Sequence, residues 1–454
     1  MARWLYDASM YRFDTPEPSY WEATVGAPPP PAPALTGTES CDVAVIGGGY
    51  TGLSAAYHLC RDHGLDVRVV EAGHLGWGAS GRNGGFCSIG GTLLEEETML
   101  RKYGLDNTRD YYRAQVDAVE LVRELIAREH IDTVRQGDSE LAIACSARGF
   151  EQLKAHTAFQ FGTLGLDTAV VGREEFRERY FDSPLQHGAA ILRPTFGLHP
   201  LRFLHGLAGA AVNRGARLHA HSEVIDWQKR GAVHELRTKG GILRAANVIL
   251  ATNGFLPEHL DKRLKGRSVP MISSIVVTRP LSEDELGAHA WQTDSPSITA
   301  VNLLNYFRVL PDRRLLFGGR GSADGSEQSA ARNYRQLIAR LHEVFPAWRE
   351  VGIDYRWHGL VCMTRRRTPA IGRFDDDPSV SFGFGFHGNG VNTATWTGRQ
   401  LAAWLGNDRS SGNGGERYIP TIMRGMPGRI PLASLRLVYI QAAIRMMRLA
   451  DRMG

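Results

Sequence analysis

The chain has 454 residues, 43% of them hydrophobic and 22% charged, with a formal net charge of +5. That length suits about two domains with sizeable cores, and so mild a basic excess, with no lysine-rich tract, does not single out nucleic acid as a partner. The five cysteines, Cys41, Cys60, Cys87, Cys145 and Cys362, are scattered with no C-x-x-C pair, which argues against a disulfide framework or a metal site and makes a reducing cytoplasm the expected location.

Residues 1–40 form an arm with few periodic segments, ending in the proline-rich run Ala27 to Pro33, and are expected to wrap the surface. The arm has no apolar signal region, and no segment of the chain reaches membrane-spanning length, so the protein is expected to be soluble or peripheral. Asp42 to Glu71 then reads as a strand, a glycine turn, a helix and a second strand. The apolar run Val43 to Ile46 suits a strand buried on both faces. Gly47, Gly49 and Gly52 supply G-x-G-x-x-G: Gly47 for the tight turn, Gly49 for approach to a pyrophosphate, Gly52 for close helix packing. Glu71 ends the second strand, about 20 residues on, where a carboxylate would accept from a ribose hydroxyl. The unit predicts a dinucleotide site, with the helix N-terminus facing the phosphates.

Gly73 to Gly91 is too glycine-dense for regular structure, yet carries Ser80, Arg82 and Asn83, and is expected to line the cofactor. Leu94 to His130 has helical spacing, and Asp132 to Arg193 reads as an inserted segment with a strand near Leu141 to Cys145. Ala216 to Gly254 suggests several strands, the last of which, Val248 to Ala251, is expected to rejoin the nucleotide-binding sheet. Met271 to Gly319 is strand-rich, with a hairpin turned at Pro311-Asp312. Ala330 to Phe345 is an amphipathic helix, and Val380 to Phe384 is a strand leading to a glycine loop that opens another helix. In Leu432 to Met453, Leu435, Val438, Tyr439, Ala442, Met446, Leu449 and Met453 share one face, and Gln441, Arg445, Arg448 and Arg452 the other. Such a helix can lie on an anionic membrane or dock on the protein's own body.

Three separated pieces, GGGYTGLSAA at Gly47, GWGASGRNGGF at Gly76 and GFHGNGVNTATWTGRQLA at Gly385, resemble the FAD-dependent amine and amino-acid oxidoreductases of the D-amino-acid oxidase superfamily. That superfamily includes the glycine oxidase, sarcosine oxidase and gamma-glutamylputrescine oxidase groups, and the last looks closest. The resemblance extends to Ser19-Tyr20-Trp21, the VILATNGF strand end, RRLLFGGR and the TPAIGR turn. It implies an α/β fold, mixed with α+β character, in which a Rossmann-like FAD-binding domain carries a second, mostly antiparallel β substrate domain. The expected division is an arm at 1–40, an FAD-binding domain from 41–95, 195–270 and 357–410, a substrate domain from 96–194 and 271–356, and a tail at 411–454.

By the same resemblance, Gly47, Gly49 and Gly52 hold the FAD pyrophosphate and Glu71 the adenosine ribose. Ser80, Arg82, Asn83, Gly84 and Gly85 run beside the pyrophosphate and flavin, Val224 meets the adenine, and Thr252 ends the ATN strand. Gly388, Asn389, Gly390 and Val391 start a helix whose free N–H groups face the flavin edge where reduction builds negative charge. The implied reaction takes hydride from the carbon bearing an amine, leaving an imine that hydrolyses in water, with oxygen as electron acceptor. The protein orients the amine and excludes water, so no obligatory acid or base is required. His387, next to the flavin edge, is a candidate to steer the amine or is simply hydrogen-bonded beside the loop. Tyr306 and Arg308, alternate residues of one strand, would roof the substrate pocket, where an arginine can pair with a carboxylate, or Arg308 points to solvent. Cys362 lies in roughly the region where sarcosine oxidases attach flavin, but the local spacing matches poorly, and non-covalent FAD is expected. Arg365, Arg366 and Arg367 either face the pocket, favouring an acidic substrate, or form a solvated turn. A dehydrogenase that passes electrons to a membrane carrier, and a flavoprotein without catalysis, are the alternatives.

Overall fold

In the computed structural model the described residues are 5–322, 324–410 and 419–453. Gly37–Ile46 is the hub of the first sheet, parallel to Val67–Val70 on one side and to Gly241–Leu250 on the other. The order runs Ala370–Phe374, Asp377–Phe384, Gly241–Leu250, Gly37–Ile46, Val67–Val70, Arg217–His219, with the hairpin Asp226–Arg230 and Val233–Arg237 attached to Gly241–Leu250. Because side chains alternate along a strand, Val43 and Val45 enter one core with the helices, while Ala44 and Ile46 enter the core on the opposite face. That is why the run is apolar throughout. Val248 to Leu250 rejoins this sheet, as expected from its apolar sequence.

The helix Tyr50–His63 leaves the first strand through Gly47, whose φ is +108°, and ends on Gly64 in the left-handed conformation. A Cβ at Gly52 would stand 2.0 Å from the Gly47 carbonyl oxygen, so glycine is what permits this helix to sit on its strand. Gly390–Ser410 packs alongside it, and Glu96–Arg128 packs on Gly390–Ser410 in turn. The long helix Glu96–Arg128 therefore belongs to the nucleotide layer and not to the substrate half expected for 96–194.

The second sheet runs Ile353–Met363, Val269–Thr278, Leu315–Arg320, Tyr306–Val309, Ser297–Thr299, Glu140–Ile143, Ala189–Arg193, Asp167–Val171. All its pairs are antiparallel except Ser297–Thr299 with Glu140–Ile143. One face, with Val276, Phe307 and Phe317, buries an aromatic core with Phe181, Phe345, Trp348 and the helix Glu327–Val344. The other face, carrying Ile275, Tyr306 and Leu316, is turned to the core of the nucleotide layer. Ile353–Met363 pairs along Val269–Thr278, so the change from one sheet to the other falls after Met363, later in the chain than the expected boundary at 357.

The arm is built into the body and does not merely wrap it: Trp21 is 1% exposed, in the core of the nucleotide layer. At the other end, Arg436–Met453 docks through Ile440, Ile444 and Leu437 on Met271 and Met363. The stripe that includes Leu435, Val438, Tyr439 and Met446 faces away and is exposed. The side chains of Arg445, Arg448, Leu449, Arg452 and Met453, and the tail residues 411–418, lie outside the described residues. Among the described residues no helix is long and apolar enough to cross a membrane, and no cluster of His, Cys, Asp or Glu is arranged to hold a metal.

Candidate active site

One cavity of about 590 Å³ runs from the Gly47 turn, between the two layers, to the inner face of the second sheet. At its nucleotide end the helix starting at Tyr50 has Gly49 as N-cap with no side-chain cap, so the first-turn amides beyond Tyr50 remain available to an anion. The Tyr50 amide donates to Ser80 Oγ at 3.1 Å, which fixes the glycine-rich loop over the turn. Glu71 accepts from the Gly48 amide at 2.7 Å and from the Gly73 amide at 3.0 Å. It lines the cavity with its carboxylate held by backbone, placed to offer a remaining lone pair to a hydroxyl. Val224 and Thr252 also line this end, and the Thr252 hydroxyl is buried without a protein partner.

In the middle, Arg82 and Asn83 line the cavity and are locked from behind. Arg82 donates to the Trp77 carbonyl at 2.6 Å, pairs with Glu17 at 3.1 Å and lies over the Trp77 ring. Asn83 Nδ2 donates to the Ser80 carbonyl at 3.0 Å, and its Oδ1 accepts from the Gly85 amide at 2.8 Å. Gly84 lines the cavity against the Tyr306 ring. Gly85 does not line it: with φ at +74° it packs on the Leu198 carbonyl and Arg308, where a Cβ would meet the carbonyl oxygen at 2.1 Å. Gly52 likewise acts in helix packing and stands off the cavity wall.

At the far end His387 and Gly388, with φ of +53° and +97°, turn the chain into the helix at Gly390. Gly388, Asn389, Gly390 and Val391 all line the cavity there. Asn389 points its amide back to Gln115 and Thr393, at 3.1 and 3.2 Å, so the turn offers backbone and not this side chain. His387 is 9% exposed; its Nε2 lies 3.4 Å from both the amide and the hydroxyl of Thr364, and Nδ1 has no protein partner. Burial lowers its pKa to about 4, so the ring is neutral at physiological pH. Cys362 lines the cavity too, and burial pushes its thiol up to about 12, the opposite of what a nucleophilic cysteine needs. Together the uncapped helix start, the unpartnered Thr252 hydroxyl and His387 Nδ1, and the glycine approaches fit an elongated dinucleotide cofactor.

Tyr306 lines the cavity: its ring lies across Gly318, and its hydroxyl is 3.0 Å from Ser273 Oγ. Arg308 does not. It is fully buried away from the cavity and donates to the carbonyls of Gly84 and Leu198, at 3.3 and 2.6 Å, and to Gln136 Oε1 at 2.7 Å. It is a cross-brace between three loops, neither a carboxylate ligand nor a solvent-facing arginine. Nor do Arg365, Arg366 or Arg367 reach the cavity; Arg366 donates to the carbonyls of Pro369, Met423 and Arg424. Arg320 and Glu140 are among the cavity residues that the sequence did not single out. Arg320 could have been found in RRLLFGGR, since it lies two residues beyond Gly318, the register partner of Tyr306; Glu140 carries no local signal.

Comparison with known proteins shows the family of the chain. The FAD dependent oxidoreductase family profile matches residues 42–404. Gamma-glutamylputrescine oxidoreductase of Escherichia coli is 32% identical over 390 residues, covering 83% of this chain and 86% of that protein. Glycine oxidase of Bacillus licheniformis is 25% identical over 383 residues, covering 81% and 93%. Among solved structures, the glycine oxidase of Geobacillus kaustophilus superposes with a TM-score of 0.66 at 22% identity, over 84% of this chain and 98% of that one. The L-proline dehydrogenase of P. horikoshii gives 0.68 at 20%, over 85% and 98%, and both likenesses concern the fold. A chain with this glycine turn, this cavity and a family match across most of its length belongs to the FAD dependent oxidoreductases.

Proposed function

We propose that the protein oxidises a primary or secondary amine, or an amino acid, and returns the electrons to oxygen. The observation that supports this most is the single cavity joining the dinucleotide turn at Gly47 to the antiparallel sheet face at Tyr306 and Ser273. When bound, FAD supplies the hydride acceptor for the carbon bearing the amine, and the resulting imine hydrolyses in water. The chain's own part is placement. Glu71, Ser80, Arg82, Asn83 and the Gly47 turn would hold the adenosine and pyrophosphate half. The helix start at Gly388 to Val391 would place free amides and a positive dipole end at the ring edge where charge develops. Tyr306 and the neutral His387 would shape the space for the amine and keep bulk water out. The relatives named for gamma-glutamylputrescine and glycine support an amine-bearing substrate.

A second reading, a dehydrogenase that hands electrons to a membrane carrier, draws on the exposed Leu435, Val438, Tyr439 and Met446 of the last helix. Anaerobic mixing of the purified yellow protein with polyamines, N-methyl amino acids and D-amino acids tests the main proposal. Bleaching by at least one class, followed by rapid recovery in air, is the expected result. A flavin that no amine reduces favours a non-catalytic flavoprotein, and one that recovers only with a quinone favours the second reading.

A further inference from the structure

Arg320 ends the strand Leu315–Arg320 and lines the cavity. Its Nη1 reaches the Met271 sulfur at 3.5 Å, a weak acceptor, and its buried Nε has no partner. Among the described residues no carboxylate pairs with it. Burial holds its pKa below the usual arginine value, a sign that the charge lacks compensation. Its register partner Ser273 and the Tyr306 hydroxyl, 3.0 Å apart, add neutral hydrogen-bonding groups on the same wall. A guanidinium with unused donors beside two hydroxyls is a place for a carboxylate.

Glu140 is the opposite pole. It is 7% exposed, lines the same cavity, and takes one side-chain hydrogen bond, from the Ser88 hydroxyl. No cation pairs with it among the described residues, and burial raises its pKa to about 7, which a bound ammonium would bring back down.

The two poles lie on one face of the sheet. Gly318, Tyr306, Ile298 and Ala142 form a row of register partners. Arg320 stands two residues beyond that row, and Glu140 two residues before it, three strands away. At standard sheet spacings this is about 14 Å across and about 13 Å along, with Tyr306 between. An α-amino acid, whose amine and carboxylate share one carbon, is far too short to reach both. Glu140 is the pole nearer the flavin-facing helix, because Asn392 of that helix donates to the Ser88 carbonyl at 2.9 Å. Arg320 is nearer the docked C-terminal helix, which packs on Met271.

We propose that the site takes an elongated dipolar substrate, its amine received by Glu140 beside the flavin and a carboxylate at the far end received by Arg320. This rests on the amine-oxidising reading, so its test is a binding measurement. Octanoate, octylamine and ω-aminooctanoate are titrated calorimetrically into the FAD-loaded protein. ω-Aminooctanoate is expected to bind tighter than either single-ended probe. In Arg320→Gln, octanoate is expected to weaken about tenfold or more while octylamine is unchanged, with Arg320→Lys recovering part of the loss. In Glu140→Gln the two probes exchange behaviour. Thermal unfolding and the bound-flavin spectrum show that each variant is folded. Octanoate that binds wild type and Arg320→Gln alike, octylamine indifferent to Glu140→Gln, or no binding of either probe to the wild type overturns the proposal. If both poles bind as expected while ω-aminooctanoate and every amine of the panel leave the flavin oxidised under anaerobic conditions, the recognition stands and the amine-oxidising reading fails.

Discussion

The indole Nε1 of Trp21 donates to the backbone carbonyl of Asn83 at 2.8 Å, tying the N-terminal arm to the glycine-rich loop 62 residues further on. Beside it Glu17 pairs with Arg82, and Trp77 donates to the carbonyl of Arg12 at 2.9 Å. The arm therefore fastens the loop whose front side lines the cavity. Trp21→Ala removes a fully buried indole and should cost about 3–5 kcal/mol of stability. Its milder counterpart Glu17→Gln is expected to leave the fold intact and raise the FAD dissociation constant several-fold, as followed by flavin fluorescence. Unchanged FAD affinity in both variants would show the arm to be mere covering.

Arg308 and Arg320 make a sharp contrast as a pair. Arg308→Met leaves the Gly84 and Leu198 carbonyls and Gln136 Oε1 without their donor, and each buried group left so costs about 1–3 kcal/mol. The expected signature is a large drop in melting temperature, with substrate affinity of the surviving folded fraction near wild type. A stable Arg308→Met protein that has selectively lost substrate binding would put this arginine back in the site.

Cys362 is held protonated in its buried position. Denaturing the yellow protein in urea should release all the flavin into the filtrate, and Cys362→Ala should keep its full complement of FAD. Flavin that stays with the polypeptide in the wild type and comes free in Cys362→Ala would establish a covalent link.

Acid sensitivity follows from buried neutral histidines. Burial lowers His58 and His387 to about 4, and His199 to about 3, from an ordinary value of 6.5. Between those folded values and 6.5 the unfolded chain binds more protons than the native one, so stability rises with pH across that window and falls as pH drops through it. Urea midpoints at pH 5 and 7 should differ accordingly, and His58→Gln should flatten the difference. An unaltered slope in that variant would assign the pH dependence to carboxylates instead.

How much of this was legible beforehand depends on how local the information is. Asp42 to Glu71 could be read residue by residue because strand, turn, helix and second strand are contiguous. Their glycines answer to contacts a few residues away, as Gly52 does to the Gly47 carbonyl. The helix start at Gly388 is legible for the same reason. Sheet alternation likewise placed Tyr306 and Arg308 on one face, and the structure agrees that they share it, since their register partners Gly318 and Leu316 lie two apart on the next strand.

Alternation says nothing about what covers that face. The loops at Gly84 and Leu198 close over Arg308 and saturate it, while the cavity opens over Arg320 at the end of the neighbouring strand. The same holds for Glu140, a lone acid at a strand start with no pattern around it, and for the arm, whose partners include residues 52, 62 and 65 positions away. The sequence by itself determined the dinucleotide half, because short-range backbone geometry constrains its residue types. The tertiary structure decided the substrate half, because there a side chain's role is set by packing between segments distant in the chain.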